Sequence, residues 1–254
     1  MTTLISSEWY KIIHSKLLAW ILTGVTAQSL LEVQGAYAVE KTPVLGQRAV
    51  AMVADGSAFL AIWIVAFVGF FVAADFQTST LRNVLALGKN RTHVFLSKLI
   101  AACIAVTAIY ATVTIVKTVG YTVAFGFGDM PVGEYLRFSS WNFFMQLFFH
   151  LTLASLYCLF AFLGKNPGMT ILLGIGWLIG ELVVMHFFES YPGRVLAFAA
   201  EYFPSYYIQR FYHPVKQTLN LDPAFIRQGI IVSLAYLVVP TVVGCALFKR
   251  SEVK

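Results

Sequence analysis

Long apolar runs separated by short polar segments set the pattern of this chain. A helix of about 20 apolar residues crosses the roughly 30 Å hydrocarbon core of a bilayer. The clearest run, 56–74, contains no charged residue, and five other runs are interrupted only by isolated polar side chains. The pattern therefore predicts an all-α polytopic membrane protein in a single domain, with six transmembrane helices at 17–38, 56–74, 99–124, 141–163, 168–188 and 229–248.

The N-terminal 38 residues carry two weaker signals. Residues 1–16 alternate apolar and polar positions at helical spacing, which predicts an amphipathic helix in the headgroup plane with Trp9 at the interface. A disordered N-terminus is the alternative. The run 17–38 is broken by Gln28, Glu32 and Gln34, and it also fits a signal peptide that ends in an Ala-x-Ala cleavage site. We interpret it as the first membrane helix, with its polar outer half facing protein or water.

The segment 75–98 is the long polar stretch between two strongly apolar runs. It holds one acid, Asp75, and four basic residues, namely Arg82, Lys89, Arg91 and Lys98. Basic loops between membrane helices are retained in the cytoplasm, so this segment is predicted to be a cytoplasmic loop.

A short helix over 78–88 is predicted within this loop. Three hydroxyl residues at 78–80 can cap its N-terminus, and Gly88 can end it in a left-handed conformation. Its apolar stripe consists of Leu81, Val84 and Leu85, and its other positions point elsewhere, namely Arg82, Asn83 and Ala86.

The residues of this loop resemble the first cytoplasmic loop of the type-2 ABC exporter permeases, in particular the small six-span subfamily linked to peptide or bacteriocin export and immunity. The matching positions are Asp75-Phe76, Ser79-Thr-Leu-Arg-Asn83, Leu85, Gly88, Arg91 and Lys98. In that family the loop carries a coupling helix that docks onto a separately encoded ATPase. The resemblance implies that the docking positions are Thr80, Leu81, Arg82, Asn83 and Leu85, with Arg91 and Lys98 anchoring the return into the membrane. One departure is Ser79, which stands where the family commonly has glycine.

The resemblance also implies partners and a substrate. The permease would act as two copies with two ATPase subunits and would export an amphipathic peptide, such as an antimicrobial peptide or a secreted toxin. The chain has no GxxxxGK[ST] phosphate loop, so ATP and Mg²⁺ are expected on the partner and the chain itself is not expected to be an enzyme.

Composition and charge agree with a membrane location. Hydrophobic residues make up 59% of the chain and charged residues 12%, which is far more apolar than a soluble domain. The N-terminus, the 75–98 loop, the turn at Lys165 and the tail together hold ten Lys or Arg and three acids, so both termini are predicted to be cytoplasmic in the plasma membrane. The formal net charge of +6 lies in these short segments and predicts no nucleic-acid binding.

Candidate chemistry is sparse. The three cysteines, Cys103, Cys158 and Cys245, lie in apolar runs without CxxC spacing, and no HExxH motif is present, so no metal site and no catalytic residue is predicted. An intramembrane enzyme would need clustered polar residues at membrane depth, and the only candidates are Glu32, His150 and Glu181.

Two intramembrane charges remain, Lys117 and Glu181. At 1.5 Å per residue they lie roughly 28 and 20 Å from the cytoplasmic ends of their helices, in the outer half of the membrane. Four interpretations are open. The two residues form a structural ion pair, or Lys117 extends its ammonium to the membrane surface, or both line a translocation path, or both couple transport to protons. The last reading underlies the alternative function, an ion-coupled secondary transporter or channel.

The segment 189–228 is predicted to lie outside the membrane helices on the external side. Its aromatic residues suit an interface, and Tyr202-Phe-Pro-Ser205 resembles the same exporter family, in which short helices dip back into the outer leaflet. We predict a re-entrant hairpin here; a folded external loop is the alternative.

Overall fold

The computed structural model describes residues 1–39, 44–53, 57–190, 200–213 and 218–251. Helices dominate these residues, and a two-stranded antiparallel hairpin is the one other regular element among them. We number the elements α1 (Thr2–Ile13), α2 (Lys16–Val39), a 3-10 segment (Gly46–Val53), α3 (Ser57–Val68), a π segment (Gly69–Ala73), α4 (Ala74–Gln77), α5 (Thr80–Ala86), α6 (Arg91–Phe125), α7 (Val132–Gly164), α8 (Pro167–Ser190), α9 (Pro204–Arg210), β1 (Tyr212–His213), β2 (Thr218–Leu219) and α10 (Pro223–Arg250).

Five helical stretches are long and apolar enough to cross a membrane: Ala58–Gln77, Arg91–Phe125, Val132–Gly164, Pro167–Phe187 and Pro223–Arg250. They support the prediction of an all-α, membrane-embedded protein. The predicted first span is a continuous 24-residue helix, α2, but it is not among these five. Gln28, Glu32 and Gln34 lower its hydropathy, so a count of six spans stays a prediction.

Two helices are longer than their apolar runs. α6 begins at Arg91, eight residues before the apolar run 99–124 and close to the expected cap at Thr92, and α7 begins at Val132, nine residues before the predicted span. The Asn90 side chain caps α6 by accepting a hydrogen bond from the backbone N–H of Thr92 at 2.9 Å. At 1.5 Å per residue both helices are roughly 50 Å long, so their ends extend beyond a bilayer core of about 30 Å.

The core lies where α6 and α7 pack together, with α3, the π segment and α10 against them. Large side chains such as Phe95, Ile109, Phe149 and Tyr157 are fully buried there. By contrast α8 and α10 leave most of their apolar residues exposed, for example Leu172, Val183, Val239 and Val242. These faces meet lipid or another subunit when the protein is in a membrane.

A buried 3-10 segment between α2 and α3 is a feature that the hydropathy pattern does not predict. Gly46–Val53 lies antiparallel to the second half of α6. Its N-terminal end is bonded to the α6–α7 connection, with the backbone N–H of Gly46 donating to the carbonyl of Gly126 at 3.0 Å. Its other end receives a hydrogen bond from Lys117 to the carbonyl of Met52 at 2.8 Å. The segment Gly46–Val53, which lies between α2 and α3 in the chain, is thus part of the bundle.

The predicted external segment 189–228 is described only in part, since 191–199 and 214–217 lie outside the described residues. Within it, α9 buries Ser205, Tyr207 and Ile208 and packs on α7. The Gln146 side-chain amide donates to the carbonyl of Ile208 at 3.1 Å. Residues 204–211 therefore form part of the packed bundle, as a re-entrant element requires; its depth in a bilayer stays a prediction.

Candidate functional site

The short helix α5 lies in the predicted polar loop and has one buried and one exposed face. Ser79 precedes it in a left-handed conformation, with φ of 56°. Leu81 is 1% exposed and belongs to the hydrophobic core, while Val84 and Leu85 are half-buried against that core. The exposed positions are Arg82, Asn83 and Ala86. The helix is shorter than the predicted 78–88, and its apolar stripe faces the bundle, whereas the spacing predicted only that this stripe would pack against some surface.

The exposed surface continues past the end of α5. Gly88 adopts φ of 74°, the left-handed conformation predicted for it, and its N–H bonds the carbonyl of Leu85 at 3.0 Å. Leu87, just before this turn, is 78% exposed, and Lys89 just after it is exposed as well. We call Arg82, Asn83, Leu87 and Lys89 the docking face. The sequence analysis did not predict that Leu87 is exposed. An apolar residue that lies outside the stripe of Leu81, Val84 and Leu85 could have indicated this exposure.

The other predicted docking positions are less accessible. Thr80 and Leu85 are half-buried, and Leu81 is buried. Arg91 is half-buried, and its guanidinium is engaged elsewhere in the fold. Of the predicted set, Arg82 and Asn83 are therefore the exposed pair.

A four-membered charge network lies behind the docking face and joins α1, α4 and α6. Lys98, which is 1% exposed, donates to Glu8 at 2.8 Å and also to Asp75. Lys11 reaches Asp75 at 3.0 Å and Glu8 at 3.4 Å. Two ammonium groups thus face two carboxylates, and the network of Glu8, Lys11, Asp75 and Lys98 has no net charge.

Burial and charge act in opposite directions on Lys11. Its partial burial favours the neutral amine and lowers the pKa, whereas the carboxylates of Asp75 and Glu8 raise it, and the net pKa of Lys11 is raised. Lys98 has a further contact, since its ammonium lies 5.1 Å from the centre of the Phe71 ring. These contacts compensate the desolvation of an ammonium that is otherwise expensive to bury.

A second tie holds the start of α6 to the end of α10. The Arg91 guanidinium donates to the carbonyl of Phe248 at 3.0 Å and to the carbonyl of Ser251, and it lies 5.7 Å from the centre of the Phe248 ring. Carbonyls at a helix C-terminus lack partners within the helix and attract a cation. Arg91 and Lys98 therefore lie at the base of the loop, where the resemblance implies anchoring positions.

Lys117 is paired with Glu32, so the hypothesis of a Lys117–Glu181 pair is wrong. The Lys117 ammonium lies 2.6 Å from a Glu32 carboxylate oxygen, in addition to its bond to Met52. The other Glu32 oxygen accepts from Gln28 at 2.7 Å, and Trp63 donates to Gln28 at 2.6 Å. Of the polar residues that weaken the first run, Glu32 is thus the partner of the charge on α6, and Gln28 supports Glu32. A cavity of about 10 Å³ adjoins this pair.

Glu181 forms a separate site between α8 and α9. It is 1% exposed and accepts hydrogen bonds from the Trp177 indole at 2.6 Å and from the Ser205 hydroxyl. Among the described residues no basic side chain pairs with it. If Lys117 and Glu181 line a translocation path, they do so from separate sites and not as an ion pair.

A comparison with protein families identifies the family of the chain. A family model described as "Protein of unknown function (DUF2705)" matches residues 32–254. The chain belongs to the DUF2705 family. The comparison with curated proteins gives no match. Because the DUF2705 description names no activity, the resemblance to exporter permeases stays a prediction.

The DUF2705 match contains most of the candidate site. The docking face, Asp75, Lys98 and the Lys117–Glu32 pair all lie within it, whereas Glu8 and Lys11 on α1 precede it. In this DUF2705 chain the charge network therefore joins the matched region to the N-terminal helix.

The three residues of the intramembrane-enzyme hypothesis lie apart in the described part of the DUF2705 chain. Among them no three His, Cys, Asp or Glu side chains are close enough to hold a metal ion. Glu32, Glu181 and His150 have separate surroundings: His150 is fully buried on α7, its Nδ1 lies 2.7 Å from the carbonyl of Gln146, and its ring stacks near Tyr110. The three candidates of the enzyme hypothesis are thus placed at three different positions in the bundle.

Proposed function

We propose that this DUF2705 chain is the membrane permease subunit of an ATP-binding-cassette exporter, driven by a separate cytoplasmic ATPase that holds ATP and Mg²⁺. One observation carries the proposal: a two-turn helix is fixed to the bundle through its apolar face and presents the basic, partly apolar docking face outward. A surface of this kind suits a groove on another polypeptide, because the exposed side of α5 and its C-terminal turn carries both an apolar anchor, Leu87, and a bidentate donor, Arg82.

The proposal includes a topology in the plasma membrane. α2 is the first span in chain order and brings the number of spans to six. α1 is the elbow helix at the cytoplasmic surface, and both termini are cytoplasmic. The excess of Lys and Arg in the segments at the docking-face end supports this orientation. The α9 region is then the re-entrant element of the opposite leaflet.

Two copies of the permease assemble in this proposal, each with one ATPase subunit. The largely exposed α8 supports a contact between copies, since added side-chain atoms at Gly176 and Gly180 would meet nothing, which leaves room for close approach of another helix. An amphipathic peptide is the proposed cargo, because the resembled subfamily moves such peptides.

The charge network gives the docking face a route to the membrane helices. Force applied to α5 reaches α6 through Asp75 and Lys98, and it reaches α1 through Glu8 and Lys11. Contiguous contacts of this kind are the physical links that such coupling requires. ATP-driven closure of two ATPase subunits would then reorient the spans.

Charge reversal at Arg82 tests the proposal. The chain is co-expressed with each ABC ATPase subunit of its source, purified through a tag on the permease, and assayed for bound ATPase and for ATP hydrolysis in nanodiscs. We expect Arg82→Glu to abolish co-purification of the ATPase and its coupled hydrolysis, while membrane insertion stays normal. Arg227→Glu, which reverses an exposed charge at the opposite end, is the matched control. A partner that binds equally to both variants would refute docking at α5.

The ion-coupled alternative retains one supporting observation, the burial of the Glu181 carboxyl without a basic partner among the described residues. It predicts cargo movement in proteoliposomes that contain this chain alone and carry an ion gradient. The exporter proposal predicts no movement there until ATPase and ATP are added.

A further inference from the structure

A large open groove lies at the end of the bundle opposite to α5. Its volume is about 1010 Å³, and it separates the first four turns of α7 from β2 and the start of α10. Most of its lining is apolar or aromatic, with Leu136, Trp141, Phe144, Met145, Leu221 and Ile226. Leu136 and Phe144 are more than half exposed, so the surface is open for a ligand.

The groove spans the boundary between headgroups and hydrocarbon. α7 has 33 residues and is therefore roughly 50 Å long, well beyond the 30 Å of a bilayer core, so its first turns lie among or outside the headgroups. Trp141 stands where the predicted apolar span begins, a position typical of the membrane interface. The groove consequently has a polar mouth near residue 134 and an apolar floor near residue 145.

Two opposite charges lie at the polar mouth, and among the described residues that line the groove they are the charged ones. Glu134 and Arg137 are three positions apart, which places them on the same side of α7. Neither has a hydrogen bond or an ion pair with any residue in the described part of the chain. Both groups are therefore available to a ligand.

The order of these groups along α7 matches the order of groups in an aminophospholipid. Glu134 is outermost, Arg137 lies roughly 4.5 Å deeper and Trp141 roughly 6 Å deeper again. In a phospholipid with a primary ammonium headgroup, the ammonium is outermost, the phosphate is next and the acyl chains follow. A guanidinium binds a phosphate through two parallel hydrogen bonds, and a carboxylate accepts from an ammonium.

We propose that this groove binds one zwitterionic aminophospholipid, such as phosphatidylethanolamine, from the adjoining leaflet. Arg137 holds the phosphate, Glu134 accepts from the ammonium, and the acyl chains lie against Trp141 and Phe144. The inference does not depend on an ATPase partner, so it stands or falls separately from the exporter proposal.

Native mass spectrometry of the full chain in detergent tests the site, with dioleoyl phosphatidylethanolamine, phosphatidylcholine and phosphatidylglycerol as probes at equal concentrations. We expect the ethanolamine lipid to bind about tenfold more tightly than the other two, since one lost charge-assisted bond changes affinity by about that factor. Arg137→Gln lowers binding of all three lipids about tenfold, whereas Glu134→Gln removes the preference for the ethanolamine lipid over the other two without weakening the binding of those two.

Matched controls are available at the same end of the molecule. Arg227→Gln and Asp129→Asn make the same charge changes at exposed positions outside the groove and should leave lipid binding unchanged. Equal binding of the ethanolamine and glycerol lipids to the unaltered chain would overturn the proposal. So would equal losses in Arg137→Gln and Arg227→Gln. The comparison of lipids on the unaltered chain decides the matter even if a variant fails to fold.

Discussion

Lys98 joins α1, α4 and α6 at the end of the molecule that carries the docking face. Its ammonium is buried, and its charge is compensated by Glu8 on α1 and Asp75 on α4. Removing one member of a buried ionic group leaves an uncompensated charge, which costs more than the group itself contributes to stability. For stability, the neutrality of the whole network therefore matters more than any single ion pair in it.

We expect Lys98→Met to lower the free energy of unfolding by about 3–5 kcal/mol, because Glu8 and Asp75 would then share only Lys11. Thermal unfolding of the purified chain in detergent measures the loss. Lys89→Met, at an exposed position, should change stability by less than about 0.5 kcal/mol. Adding Glu8→Gln to Lys98→Met restores neutrality and should recover part of the loss; purely additive losses would contradict a coupled network.

The Lys117–Glu32 pair makes a second prediction at this scale. In a double-mutant cycle, Lys117→Met and Glu32→Gln should be coupled, with the double variant less destabilised than the sum of the single variants. Lys117→Met and Glu181→Gln should be additive within about 0.5 kcal/mol, since the two residues have separate partners. Thermal unfolding in detergent supplies the four stabilities of each cycle, and coupling of Lys117 to Glu181 would contradict the structure.

Individual residues show how far sequence reasoning reached. Exposure of Arg82 and the left-handed turn at Gly88 were predictable, because helical spacing and glycine geometry are local properties. Leu81 was expected at a docking position but is buried, because the bundle itself covers the apolar stripe of α5. The partner of Lys117 was not, because pairing depends on which helix lies beside α6. Glu32 and Glu181 are equally suitable acids in the sequence, and only the packing of α2 on α6 distinguishes them.

At the scale of elements, apolar runs located the helices but not their ends. α6 extends through polar residues back to Arg91 because Asn90 caps it and protein, rather than lipid, surrounds that end. The 3-10 segment Gly46–Val53 escaped prediction since a run of eight residues is too short to register as a span. Its burial depends on Lys117 and on the α6–α7 connection, which are remote in sequence.

The tie between α6 and α10 predicts a local effect. Arg91→Gln removes the bonds to the carbonyls of Phe248 and Ser251, so the last turn of α10 should fray. Hydrogen–deuterium exchange at Leu247–Arg250 should rise at least about tenfold, which corresponds to about 1.4 kcal/mol of local stability. Lys89→Gln removes an equivalent charge close by in the loop without touching α10 and is the control; equal exchange in both variants would contradict the tie.

For the whole molecule, the docking face and the start of α7 lie at opposite ends of the bundle. Substituted-cysteine labelling in a variant without the three native cysteines tests which end faces the cytoplasm. An impermeant maleimide should label Val132→Cys in intact cells, whereas Leu87→Cys should react only after permeabilisation; both positions are well exposed. The reverse pattern would place the docking face outside and refute the exporter proposal.

The bond from Lys117 to Glu32 also has a consequence for biogenesis. In the proposed topology α2 is a membrane helix, and Glu32 leaves the ribosome long before Lys117, so Glu32 has no partner while α2 enters the bilayer. An unpaired charge lowers the retention of a membrane helix, so α2 should be held less firmly as a lone nascent helix. The contacts of Glu32 with Lys117 and of Lys117 with the Gly46–Val53 segment can form only after α6 has been synthesised. Truncated nascent chains that stop short of Lys117 should accordingly leave α2 extractable from the membrane by alkali.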